Sequence, residues 1–230
     1  MKIGVLGSLT VGRTIAAKTA ELGHDVVLGT RDPAATLARS EPDAMGTPPF
    51  AEWHGQQPEI RLGTFADAAA HGEILFNATN GSGSLEALGL AGADALRGKA
   101  LMDISNPLDF SRGMPPSLFV SNTDSLGEQI PRTVPDATVV KALNTVNASL
   151  MVDPGQLTGG DHDAFVAGND PEAKAEVIGV LRDWFGWKRV HDLGDITAAR
   201  GLEMYLPLWL LLFGAVGSPS FNVKVVTEQA

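Results

Sequence analysis

The chain has 230 residues, 44% hydrophobic and 19% charged, with 27 acidic against 17 basic residues and a net charge of −10. That balance describes a globular protein able to bury a sizeable core, and it excludes the basic footprint that nucleic acids and anionic membranes require. Cysteine is absent, which excludes disulfides, thiolate metal sites and thiol nucleophiles.

Lys2–Leu6 predicts a buried strand, and Val11–Leu22, with Ile15, Ala16, Thr19 and Leu22 at helical spacing, predicts an amphipathic helix ended by Gly23. Asp25–Gly29 predicts a second strand. Asp32-Pro33 then reads as the cap and first position of a helix reaching about Arg39. Ser40–Pro58 carries four prolines and predicts irregular chain with one short helix in PPFAEWHG. Strand-like 60–63, helix-like 65–72 and apolar 73–79 follow, then a helix near Ser84–Leu96 and a strand at Lys99–Ile104. Ser125–Glu128 has capping-box spacing and starts a helix, and 137–143 is another buried strand. This rhythm predicts an α/β fold, a doubly wound parallel Rossmann-type sheet, over residues 1–145.

After Asn147 the rhythm changes. The pattern predicts a strand at 163–168, a helix over 170–186, a strand at 187–194, a mostly helical Thr197–Val216 kinked at Pro207, and a closing FNVKVV. Residues 146–230 are therefore expected as a small C-terminal α+β lobe on the sheet's carboxyl edge, completing the substrate pocket. The uncharged run Met204–Val216 has 13 residues, fewer than the about 20 that span a bilayer, and predicts a buried helix or a homodimer interface rather than a membrane segment. The N-terminus lacks the apolar core and cleavage site of a signal peptide, so the expected location is cytoplasmic.

The stretch GSLTVG follows the first strand. In a dinucleotide site the first glycine makes the tight turn, the second lets backbone approach the pyrophosphate, and the third lets helix pack on strand. Gly7 and Gly12 take the first and third places, but Leu9 stands where the middle glycine belongs. The helix start still offers N–H groups and a positive dipole end, and Ser8 and Thr10 add hydroxyls. If the loop works, the Leu9 side chain turns aside while its N–H faces the pyrophosphate. At the end of the second strand NAD sites place a carboxylate and NADP sites a cation. Thr30-Arg31 fills that slot and suits a 2′-phosphate; Asp32 is the competing reading, as a ribose ligand rather than a helix cap.

Taken in order, MKIGVLGSLTVG, GHDVVLGTRDP, VVKALNTVN, VAGNDPEAK and DLGDITAARGLEMYLPLWL resemble the NADP-dependent reductases of the deazaflavin coenzyme (factor 420) and the wider group of dinucleotide-binding oxidoreductases around them. The ferric-reductase domain of the STEAP membrane proteins looks like a more distant member. The resemblance runs from Met1 to about Val226 and implies NADP as cofactor, with a deazaflavin or flavin as second substrate. It places the pyrophosphate on Ser8, Leu9, Thr10 and Val11, the 2′-phosphate on Thr30 and Arg31, and the nicotinamide near Ala78, Thr79, Asn80, Asn106, Ala142 and Asn144. The LNT at 143–145 departs from the family, which has a histidine before that threonine, and so matches the wider group better.

Hydride transfer between two rings needs positioning rather than a triad or a metal. Catalytic candidates are thus few: Lys141 as an acid toward a carbonyl or imine, against the alternative of a lysine on a solvated edge, and Asn144. Asp161-His162-Asp163 reads as a surface turn rather than a metal site. Arg200 and Glu203 have the spacing of an i,i+3 pair, and Phe50 and Trp53 are either lid aromatics or loop packing. Three functions fit: an NADP(H)-dependent oxidoreductase serving a deazaflavin, flavin or other small-molecule or coenzyme acceptor; a C=O or C=N reductase using Lys141; and a non-catalytic NADP-binding module.

Overall fold

Six parallel strands lie in the order β3-β2-β1-β4-β5-β8, the order of a dinucleotide-binding fold. The computed structural model describes residues 1–42 and 46–228; residues 43–45 of the proline-rich stretch lie outside the described residues. In chain order the first half comprises β1 (Lys2–Leu6), α1 (Thr10–Glu21), β2 (Asp25–Thr30), α2 (Pro33–Leu37), α3 (Phe50–Gly55), β3 (Arg61–Thr64), α4 (Phe65–His71), β4 (Ile74–Asn77), α5 (Gly81–Ala91), α6 (Ala93–Leu96) and β5 (Ala100–Asp103). A small hairpin, β6 (Leu108–Asp109) with β7 (Ser117–Leu118), precedes α7 (Leu126–Thr133) and β8 (Thr138–Ala142). Then come α8 (Ala148–Val152), β9 (Asp163–Gly168), α9 (Pro171–Gly179) continuing as one π turn to Trp184, β10 (Arg189–Asp192), α10 (Ala199–Met204) and α11 (Leu206–Val216).

Strand residues alternate between two apolar layers, as period two requires of a sheet covered on both faces. Ile3, Val5, Val26, Leu28, Phe76, Met102 and Val140 face the layer containing Ile15 and Trp187. Leu6, Val27, Leu75, Leu101 and Val139 face the layer of α4, α5 and α7.

One expectation changes. The region after residue 145 is not set apart from the sheet: β9 lies antiparallel against β8, and β10 parallel against β9, so the sheet has eight strands and is mostly parallel. The reason is the connection. After β8 the chain uses only α8 and two short 3-10 turns, with no crossover helix to carry it back to the other end. The expected interruption by Pro207 is present: the helical run breaks at Tyr205, between α10 and α11, two residues before the proline that lacks an N–H. Counted from Ile196 to Val216, this run has 21 residues and by length and composition alone could cross a membrane.

Candidate active site

The carboxyl ends of β1, β2, β4 and β5 converge on one cleft, where open α/β sheets bind ligands. The loop from β1 to α1 is its centre. Gly7 has φ 118°, and a Cβ there would lie 2.5 Å from the Ala78 carbonyl oxygen; a Cβ at Gly12 would lie 1.9 Å from the Gly7 oxygen. Neither position accepts a side chain. Leu9 is different: at φ −86° and ψ −175° its backbone is ordinary extended chain, and its 40% exposed side chain stands on the cleft border. As the N-cap it supplies no side-chain acceptor to α1, and no acidic residue sits in the first turn, so the positive end of a 12-residue helix faces the cleft uncompensated. Ser8 accepts from Arg13 Nε at its carbonyl (2.9 Å) and from Arg39 Nη2 at its hydroxyl (2.9 Å). Thr10 Oγ1 pairs with Thr47 Oγ1. Arg39, a second cation beside the loop, carries no signal in the sequence that separates it from any surface arginine.

At one end of the cleft stand Thr30 and Arg31 beside Gly7, Ser8 and Asn80. Thr30 is buried with its hydroxyl on Thr36 (2.8 Å), whereas Arg31 is exposed and reaches Glu86 on α5 (2.8 Å). The Asp32 carboxylate accepts from the Ala35 N–H (3.0 Å) and caps α2.

The other end is a hollow of about 330 Å³ between the α1 start (Leu9, Thr10, Val11), Ala78–Gly81, and the loop after β5 carrying Ser105 and Asn106, with Leu108 and Phe110 of the hairpin region at its rim. Among the described residues none of those lining it is titratable. Leu143 sits at φ 59°, a left-handed turn that carries the chain out of β8. Asn144 then pairs reciprocally with Asn106: Asn106 Nδ2 donates to the Asn144 carbonyl (2.8 Å) and Asn144 Nδ2 donates to Asn106 Oδ1 (2.9 Å). Asn144 Oδ1 is buried without a hydrogen-bond partner. Ala142 is wholly buried in β8 and does not border the hollow.

Lys141 is neither on a solvated edge nor open to a substrate. It is 0% exposed, and its ammonium meets Asp103 (2.8 Å), Glu203 (2.9 Å) and the Ser105 carbonyl, so its three protons are engaged. Burial alone would push its pKa down, but the Asp103 and Glu203 carboxylates outweigh that and hold it above the ordinary lysine value. Such an ammonium is a poor proton donor at neutral pH.

Other expectations resolve as structure. Arg200 and Glu203 do not pair. Arg200 forks onto Glu128, while Glu203 accepts from the Leu126 and Gly127 N–H groups that open α7. Phe50 is fully buried under the Arg13 guanidinium and packs on Trp53, so it is core and not lid. Asp161, His162 and Asp163 are not the expected surface turn: His162 and Asp163 are buried, Asp163 opens β9, and both aspartates bind Arg189.

Residues 2–107 match the profile of a family described as NADP oxidoreductase, coenzyme F420-dependent. A solved structure from Arthrobacter sp. FB24, a candidate F420-dependent NADP-reductase, is 58% identical, covers 99% of this chain and 100% of its own, and superposes with a TM-score of 0.94. The F420-dependent NADP reductase of Methanocaldococcus jannaschii is 24% identical over the whole of both chains. Metalloreductase STEAP3 of Rattus norvegicus is 30% identical over 91% of this chain, which spans only 37% of that protein's length.

Proposed function

The chain belongs to the coenzyme F420-dependent NADP oxidoreductase family, and on that premise we propose that it passes a hydride between NADP(H), held along the cleft, and a deazaflavin of the coenzyme F420 type. The residues present fit a dinucleotide phosphate. The uncapped start of α1 and the N–H of Leu9 suit the pyrophosphate, Thr30 and Arg31 suit the 2′-phosphate, and the orphaned Asn144 Oδ1 suits a carboxamide N–H.

The observation that carries the choice of acceptor is the hollow without a titratable side chain. Reducing a carbonyl or imine leaves a strongly basic atom that needs a nearby acid. A conjugated ring spreads the transferred electron pair over its own nitrogens and oxygens and takes its proton from water. When bound, NADPH supplies the hydride; the chain's work is to hold two rings face to face and keep water from between them. Phe110, 51% exposed at the rim, offers a flat apolar surface to the second ring.

The test is oxidation of NADPH, followed by its absorbance, with coenzyme F420, FMN and a panel of carbonyls and imines. Turnover with coenzyme F420 and none with the panel is the expected result. Turnover of carbonyls or imines alone would overturn the assignment, and binding of NADPH with no turnover by any acceptor would make the protein a binding module.

We infer further that the protein works as a homodimer paired through α11. Leu208, Leu211 and Ala215 recur on α11 at three- and four-residue steps and form an exposed stripe with no charge, self-complementary across a two-fold axis.

A further inference from the structure

Asp103, Lys141 and Glu203 form a wholly buried ion cluster that the proposed chemistry does not use. Every contact in it has one sense. Asp103 accepts from Lys141 Nζ at one oxygen, and from Asn77 Nδ2 (2.8 Å), the Ser105 N–H (3.1 Å) and the Ser105 hydroxyl (2.7 Å) at the other. Glu203 accepts from Lys141, from the Leu126 N–H (2.8 Å) and from the Gly127 N–H (2.9 Å). Both carboxylates accept every bond they make here, and Lys141 donates all of its own.

The cluster borders the hollow at one side only. Lys141 Nζ donates to the Ser105 carbonyl, and Ser105 and Asn106 are wall residues. Asn77, held by Asp103, accepts at Oδ1 from the hydroxyl of Thr79, a third wall residue. On the far side Glu203 belongs to α10, whose Leu202 carbonyl accepts from Asn144 Nδ2 (3.1 Å). Thus α10, from the C-terminal part of the chain, is fastened to the wall of a cleft otherwise built from residues before 145. Thr30 and Arg31 have no bond to any of these groups.

We propose that Lys141 and Glu203 are positioning residues, which with Asp103 fix the Ser105–Asn106 wall against the nicotinamide half of the cofactor and leave the adenosine half untouched. Truncating Lys141 leaves two buried carboxylates without their shared counter-ion. Replacing Glu203 with glutamine turns an N–H₂ toward Lys141 or the α7 N–H groups. Either change releases the wall by way of the Ser105 carbonyl, and neither reaches the Arg31 end. The proposal rests on the NADP reading above.

The test compares two ligands on the full chain: NADPH and 2′,5′-ADP, which carries the adenosine and 2′-phosphate without the nicotinamide. Each is titrated against wild type, Lys141→Met, Lys141→Arg and Glu203→Gln. In Lys141→Met and Glu203→Gln the affinity for NADPH should fall about tenfold or more, the scale of a buried polar group losing its partner. Affinity for 2′,5′-ADP should stay within about twofold, and Lys141→Arg should recover part of the loss by keeping the charge. Equal losses for both ligands, or no loss for either, would overturn the proposal. Should Lys141→Met fail to fold, Glu203→Gln and Lys141→Arg decide it. A wild type that binds neither ligand refutes the NADP reading itself, a result distinct from wild-type binding with unaltered variants.

Discussion

Replacing Arg31 with alanine should remove most of the preference for NADPH over NADH. A hydrogen bond to a charged group contributes about 1.5–3 kcal/mol. Arg31 is 62% exposed, so solvent screening favours the lower part of that range. To reach a 2′-phosphate the guanidinium must leave Glu86, which takes back about 0.2–1 kcal/mol. The net is about 0.5–2 kcal/mol, a loss of about 2- to 30-fold in NADPH affinity, with NADH moving by less than about twofold. Fluorescence titration of both cofactors measures it. Because the site is open to solvent, the wild-type preference should also shrink as salt shortens the screening length from about 10 Å at 0.1 M to about 3 Å at 1 M. Equal wild-type affinities for the two cofactors, or a parallel loss of NADH binding in the variant, would refute the assignment of Arg31 to the 2′-phosphate.

Gly12→Ala should lower the melting temperature and abolish NADPH binding together. Its Cβ would meet the Gly7 oxygen at 1.9 Å and force the loop aside at about 1–3 kcal/mol; a variant of unchanged melting temperature would show that the loop can yield. Leu9→Gly, which needs no backbone change at φ −86°, should tighten NADPH by clearing the cleft border, and an unchanged or weaker constant would show that the leucine is no obstacle. Leu208→Glu with Leu211→Glu should convert a dimer to a monomer in sedimentation while leaving NADPH affinity intact; an unchanged sedimentation coefficient would remove α11 from the interface. The Arg200 fork holds the Glu128 carboxyl below its ordinary value of about 4.5. A depressed carboxylate stabilises the fold above its unfolded pKa, and that contribution is lost as pH falls through the folded pKa. The stability gap between wild type and Glu128→Gln should therefore be full at neutral pH and close below about pH 4.5, as followed by denaturant midpoints.

Local signals carried most of the sheet. The strands from Lys2, Asp25 and Ala100 are short apolar runs, and Asp32 and Ser125 cap helices as their spacing predicts. What escaped the sequence was set by contacts between distant segments. Nothing local distinguishes Val166 as a strand residue antiparallel to β8 from one in a separate lobe; the short connection decides it. Lys141 has the same neighbours in sequence whether it faces water or a pair of carboxylates, and its partners lie 38 residues before it in β5 and, at Glu203, beyond β10 in α10. The hairpin at Leu108–Leu118 is two residues per strand, too short to show a period.

The incomplete glycine signature has a physical reading. Its three positions impose different demands, and only two of them are steric. Gly7 must take a φ that side chains avoid, under the Ala78 carbonyl, and Gly12 must let α1 pass within contact of the Gly7 oxygen. No arrangement of a larger residue meets either condition, and both glycines are present. The middle position asks only that backbone come near a phosphate, and Leu9 meets its angular requirement without strain. Losing that glycine therefore leaves the fold of the loop intact and shifts the whole consequence onto ligand approach. A chain can give up the middle glycine and keep a dinucleotide site, provided that other groups hold the cofactor. On the proposed reading those groups are Thr30 and Arg31 at one end of the cleft and the Asn106 wall, hydrogen-bonded to Asn144, at the other.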